Sequence, residues 1–156
     1  MISQLTPDVG SIVGCWFPYD GITPPMPGKE FRPCLVLQVI KRIDKKHVQL
    51  LMSYGTGQTT DCNIISMNKY SIEVEKGNGN TLSETTKFDL KKLAVLPLEK
   101  RFFATPKFPN NSFVRVGQLT TSDEAIVLDK IIASGISMDY SPYPTRTIIS
   151  KKQITR

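Results

Sequence analysis

Arg32 stands at the mouth of an aliphatic run, Phe31-Arg32-Pro33-Cys34-Leu35-Val36-Leu37, which follows a first apolar stretch, Gly10-Ser11-Ile12-Val13-Gly14-Cys15-Trp16-Phe17-Pro18. A guanidinium keeps its proton at any physiological pH, and its planar fork matches the oxygens of a phosphate. Pro33 fixes the backbone just behind it. Arg32 is therefore a candidate anion clamp; the alternative is a strand-end arginine paired with a carboxylate such as Glu30 or Asp89. Lys87 and Asp89 lie two residues apart, which on a straight strand sets a cation and a carboxylate side by side on one face. Their other reading is a surface ion pair contributing under about 1 kcal/mol. Asp89 can serve as a base only if its surroundings raise its pKa.

Tyr54-Gly55-Thr56-Gly57-Gln58-Thr59-Thr60 is a glycine-spaced polar segment that can offer backbone N–H groups and hydroxyls to a phosphate. It lacks the Gly-Lys-Ser/Thr ending of a nucleotide-binding loop, so a turn or groove wall is the competing reading. His47, the single histidine, sits beside Lys45 and Lys46 and reads as a solvated turn residue. Cys15, Cys34 and Cys62 form no CxxC pair and fall mostly within apolar runs, which predicts reduced, buried thiols. No His/Cys cluster has zinc spacing and no Gly-x-Ser-x-Gly elbow occurs. The expectation is a site without metal or cofactor.

The elements that must position these residues follow from a chain of 156 residues with 40% hydrophobic content, enough for one domain with a core. A formal net charge of +6 biases it mildly toward polyanions. The opening residues carry neither a charged n-region nor an apolar h-region, and no window holds 18 consecutive apolar residues, so a cytoplasmic protein without membrane contact is expected.

Short β-like runs dominate. Strands are predicted at 12–17, 33–40 and 47–54, the last two joined by the charged turn 41–46 into a hairpin. Residues 19–30 carry three prolines and two glycines and read as a loop. Weaker strands are expected at 62–67 and 70–75, then a Gly/Asn turn at 76–80, then strands at 85–88 and 93–96. A loop at 102–111 precedes a short run at 112–116. One convincing helix follows, with Thr121 and Glu124 as a capping box, Ala125, Ile126, Leu128, Ile131 and Ile132 as its apolar stripe and Gly135 as its stop. A last strand is possible at 147–149, inside a basic tail.

This pattern predicts a mainly β fold, a small curved antiparallel sheet or barrel with one packed C-terminal helix. Residues 1–136 form the domain and 137–156 a basic C-terminal extension.

The order of Gly-Ser-Ile-Val at 10–13, the loop, Arg32-Pro33-Cys34-Leu35-Val36-Leu37, an apolar strand ending at Ser53, and Lys87-Phe88-Asp89-Leu90-Lys91-Lys92-Leu93 resembles the MazF/PemK/Kid toxins over residues 8–134. The resemblance implies an SH3-like barrel of the MazF/PemK/CcdB type. It further implies a homodimeric endoribonuclease of a toxin-antitoxin system, which cuts single-stranded RNA without metal and is restrained by a cognate antitoxin protein.

The family's catalytic arginine falls on Arg32 and its strand-end hydroxyl on Ser53. Lys87 and Asp89 are possible catalytic support, as an Arg and Asp stand in some members. For Ser53 the alternative is a local backbone hydrogen bond. RNA contacts are expected from Lys29, Tyr54, Thr56, Lys91 and Lys92. Where some members carry a His or Glu in the first loop, this chain has Thr23-Pro24-Pro25-Met26-Pro27. That departure supports a second expectation, a noncatalytic barrel of the same type that binds a protein or a nucleic acid.

Overall fold

The computed structural model describes residues 6–18, 26–41, 48–56, 71–77, 79–107, 113–134 and 145–147. Strands β1 (Ser11–Trp16), β2 (Phe31–Lys41), β3 (Val48–Thr56), β4 (Ser71–Val74) and β5 (Thr86–Pro97) lead to a one-turn helix, α1 (Lys100–Phe103). Strand β6 (Arg115–Gln118), helix α2 (Thr121–Ser134) and strand β7 (Thr145–Thr147) follow. The hydrogen-bonded path β4-β5-β3-β2-β1-β6 is antiparallel throughout, and β7 pairs with β2 beyond the end of β1.

The sheet curls into a half-barrel, and its register shifts are where a flat ladder is broken. Leu37 is the extra residue between β2 and β3, and Val116 between β6 and β1. The largest shift sets Ser53 opposite Leu93 but Tyr54 opposite Asp89, leaving Leu90, Lys91 and Lys92 of β5 outside the ladder with β3. Each such bulge bends its strand and increases the local twist.

The core explains the sequence of β2. From Cys34 to Ile40 each residue is buried, because β2 is central and both of its faces are covered. Ile12, Leu35, Leu50, Leu51, Phe88, Leu90 and Leu96 fill the interior, with Phe102 and Phe103 of α1 and Val127, Leu128 and Ile131 of α2 packed onto them.

Several predicted boundaries move. The strands expected at 85–88 and 93–96 are one continuous β5, since the two lysines that interrupt the apolar pattern occupy the bulge. The predicted loop at 102–111 begins inside α1, whose Phe102 and Phe103 are wholly buried. The run expected at 112–116 pairs at 115–118.

In α2 the Thr120 hydroxyl accepts the Asp123 N–H at 3.1 Å, so the cap lies one residue before the expected Thr121. Its inward stripe is rotated accordingly: Val127 is buried, whereas Ile126 and Ile132 are 45% and 59% exposed. The turn at 76–80 carries Gly77 and Gly79 at φ of 81° and 74°, and Asn80 Oδ1 accepts the N–H groups of Gly77 and Leu82. The strand expected at 62–67 and the Gly135 stop lie outside the described residues. No helix among those residues is long and apolar enough to cross a membrane.

Candidate functional site

Strand register assembles the site. Arg32 lies opposite Cys15 of β1, and Lys87 lies opposite both Thr56 of β3 and Glu73 of β4. Cys34 opposite Tyr54 places Arg32 two residues further along, beside Thr56. One row therefore crosses the sheet as Cys15, Arg32, Thr56, Lys87 and Glu73. The adjacent row on the same face is Val13, Cys34, Tyr54 and Asp89. With strands about 4.8 Å apart, Arg32 and Lys87 have their backbones roughly 10 Å from each other. The expected side-by-side placement of Lys87 and Asp89 is present, because Phe88 between them turns inward and is fully buried.

The Arg32 side chain is 23% exposed and held from two directions. Its Nε donates to Glu30 Oε2 at 2.7 Å and its Nη2 donates to the same oxygen. Its guanidinium also lies 5.8 Å from the centroid of the Tyr54 ring, and Phe17 meets the same ring edge-on at 5.3 Å. Both readings of Arg32 thus have a basis, since a clamp for an anion is presently occupied by a carboxylate. Glu30 is 65% exposed, and a pair so open to water contributes about 1 kcal/mol or less, which an incoming phosphate can displace. Lys87 Nζ lies 3.8 Å from Glu73 Oε2, a loose pair on the same row.

Ser53 is placed elsewhere. It points to the opposite face by strand alternation, is fully buried, and its hydroxyl donates to the Asp89 carbonyl at 2.7 Å. That bond ties β3 to β5 beside the β5 bulge. Lys29 is exposed just before β2, and Thr56 is half-buried at the end of β3. The side chains of Lys91 and Lys92 lie outside the described residues.

Cys15 and Cys34 are free thiols buried at the β1 end of this face. Burial pushes the Cys15 thiol well above its usual value, and a hydrogen bond and charge interaction with Cys34 act in the same direction. Cys34 in turn donates to the Arg32 carbonyl at 3.6 Å. Helix α1 packs against β1. Among the described residues no three His, Cys, Asp or Glu side chains are grouped as a metal site requires.

The other face carries a feature that sequence reasoning missed. Gly14 pairs with Pro33, and Gly55 lies beside Pro33 and opposite Phe88; the Phe31 ring lies over Gly14, and the Pro33 carbonyl and Phe88 ring close over Gly55. A cleft of about 190 Å³ borders this row, lined also by Phe31, Thr81, Leu82, Ser83, Glu84 and Thr86. Gly14 inside a predicted strand was the available signal, since a strand glycine marks a close approach; Gly55 fell just beyond the predicted strand 47–54. Trp16 closes the end: its ring centroid is 5.2 Å from that of Phe31, and its Nε1 donates to the Ala104 carbonyl at 2.8 Å.

No protein-family model matches the chain, and comparison with curated proteins finds no match.

Proposed function

We propose that this chain is a MazF/PemK-like endoribonuclease toxin built on an SH3-like barrel, which binds single-stranded RNA on the face bearing Arg32, Tyr54, Lys87 and Asp89 and cleaves it without metal. The observation that carries the reading is the register that aligns Arg32, Thr56 and Lys87 across β2, β3 and β5, with Tyr54 and Asp89 in the next row. These are the residue types that phosphodiester transfer needs. The 2′-hydroxyl gives its proton to Asp89 and its oxygen bonds to phosphorus. The bond from phosphorus to the 5′-oxygen breaks, and that oxygen takes a proton from Lys87. Arg32 leaves Glu30 and stabilises the added negative charge. The products are a 2′,3′-cyclic phosphate and a 5′-hydroxyl. Tyr54 and Lys29 add stacking and cationic contacts.

On this reading the partners are single-stranded RNA, a cognate antitoxin and a second copy of the chain, in the cytoplasm. Two observations favour a second reading, a noncatalytic barrel that binds RNA or protein. The Ser53 hydroxyl is inside, committed to a carbonyl, and Arg32 already has a carboxylate partner.

Incubation of the purified protein with mixed-sequence single-stranded RNA in EDTA distinguishes the two. Cutting that leaves cyclic phosphate ends and drops at least ~100-fold in Arg32→Ala supports the nuclease. Intact RNA at micromolar protein across salt concentrations leaves the noncatalytic reading.

A further inference from the structure

We propose that Cys15 and Cys34 are a dithiol that a peroxide closes reversibly to a disulfide across β1 and β2, shifting the backbone that carries Arg32. The chemistry is independent of what Arg32 binds.

Strand register brings the two sulfurs together. Cys15 stands opposite Arg32 and Cys34 opposite Val13, so the cysteines share a face and are diagonal neighbours on adjacent antiparallel strands. The Gly14 and Pro33 pair between them exchanges no ladder bond, since proline has no N–H and the Gly14 N–H donates to the Val114 carbonyl at 2.9 Å. Both thiols are free and fully buried, and they are hydrogen-bonded to each other.

The same geometry makes the bond labile. Diagonal neighbours in a ladder have Cα atoms about 7–8 Å apart, whereas a disulfide spans about 4.4–6.8 Å. Closing it therefore draws β1 and β2 together, and a disulfide strained in this way is readily reduced. The movement reaches Arg32 by two routes. Arg32 is the direct partner of Cys15, and its carbonyl accepts the Cys34 thiol at 3.6 Å. Loss of the Cys34 proton removes that second contact.

Oxidation proceeds in two steps. One thiolate sulfur bonds to a peroxide oxygen, the O–O bond breaks, and the departing oxygen leaves as water after taking a proton. The other sulfur then bonds to the sulfenic sulfur, the S–O bond breaks, and a second water leaves with the remaining thiol proton. Two thiols lose two electrons in total, and one hydrogen peroxide becomes two waters. Burial makes the response slow, because peroxide meets these thiols when the β1 and β2 pair opens locally. It also places the second thiol beside the first, so the sulfenic acid is captured before it oxidises further.

The full chain is treated with hydrogen peroxide, unfolded, alkylated with iodoacetamide and digested with trypsin. Cleavage after Lys29 separates Cys15 from Cys34, and Cys62 falls on a third peptide, so each possible pairing gives its own product. The expected result is a Cys15–Cys34 crosslink that dithiothreitol reverses, that forms several-fold faster in urea below the unfolding transition, and that is absent in Cys15→Ala. In nitrogen-15 spectra the Arg32 Nε–H signal, assigned by its loss in Arg32→Lys, shifts on oxidation while the Val127 amide does not. Fully alkylated Cys15 and Cys34, sulfinic acid without a crosslink, or pairing of either with Cys62 overturns the dithiol. A Cys15–Cys34 crosslink that leaves the Arg32 Nε–H signal unmoved overturns the coupling to Arg32.

Discussion

The two faces of the β2, β3 and β5 segment put opposite demands on neighbouring residues of the same strands. On one face Arg32, Tyr54, Thr56, Lys87 and Asp89 keep polar groups at the surface, and their partners are side chains such as Glu30 and Glu73. On the other face Pro33, Ser53, Gly55 and Phe88 are committed to backbone and packing. The Ser53 hydroxyl holds a carbonyl, Phe88 is fully buried, and a Cβ on Gly55 would run into the Pro33 carbonyl and the Phe88 ring. A one-residue step along a strand therefore separates a group that can meet a ligand from one that holds the sheet together.

Substitutions on the packed face should be felt in stability. Phe88→Ala is expected to cost about 3–5 kcal/mol by removing a buried ring and leaving a cavity, measured by urea unfolding; a cost below about 1 kcal/mol would mean that Phe88 does not anchor this face. Ser53→Ala is expected to cost about 1 kcal/mol, because a buried side-chain hydrogen bond to the Asp89 carbonyl is lost. The sharper readout is RNA affinity in the same variant. Unchanged affinity alongside lost stability assigns Ser53 to the fold, whereas lost cleavage at full stability would return it to the site.

Cys15 tests the covered end of the polar face by pH. Its folded pKa is raised, so the folded chain retains the thiol proton after the unfolded chain has released its own. The resulting stability is complete below the ordinary thiol value of about 8.5 and is lost as pH rises from there through the raised folded value. Wild type should lose stability above that pH more steeply than Cys15→Ala. Parallel pH curves for the two proteins would show that the Cys15 thiol does not govern this window.

The open part of the polar face should respond in binding rather than folding. Glu30→Gln frees Arg32 from a competing charge, and RNA affinity should rise several-fold while stability changes by less than about 0.5 kcal/mol. Affinity that falls would make Glu30 a positioning partner of Arg32 instead of a competitor. Lys87→Met should lower the slope of log affinity against log salt by about one, the signature of one lost phosphate contact. An unchanged slope would assign Lys87 to its pair with Glu73 alone.

Much of this arrangement was legible from residue order. The aliphatic run after Arg32 predicted a strand at 33–40, and the two-residue spacing of Lys87 and Asp89 predicted a shared face, which follows from the twofold period of a strand. Ser53 carried two readings, a phosphate contact or a backbone hydrogen bond, because a strand-end hydroxyl reads alike whether it faces solvent or a bulge; the hydrogen bond is the one the structure contains. The continuity of β5 was hidden by Lys91 and Lys92, which break the apolar alternation because they occupy the bulge. The exposed Ile126 and Ile132 of α2 could equally have been core, as the apolar residues of that helix run around more than one side.

By itself the sequence determined that the chain is mainly β, that Cys15 and Cys34 lie among apolar neighbours, and that Arg32 sits at a strand entrance. Local chemistry suffices for these, since proline, glycine and alternation act over a few residues. Only the tertiary structure decided that Arg32 and Lys87 share a row, that Glu30 occupies the guanidinium, and that the rings of Phe31 and Phe88 pack on Gly14 and Gly55. Those facts depend on register between strands distant in sequence, and register is set by bulges and core packing that no single segment contains.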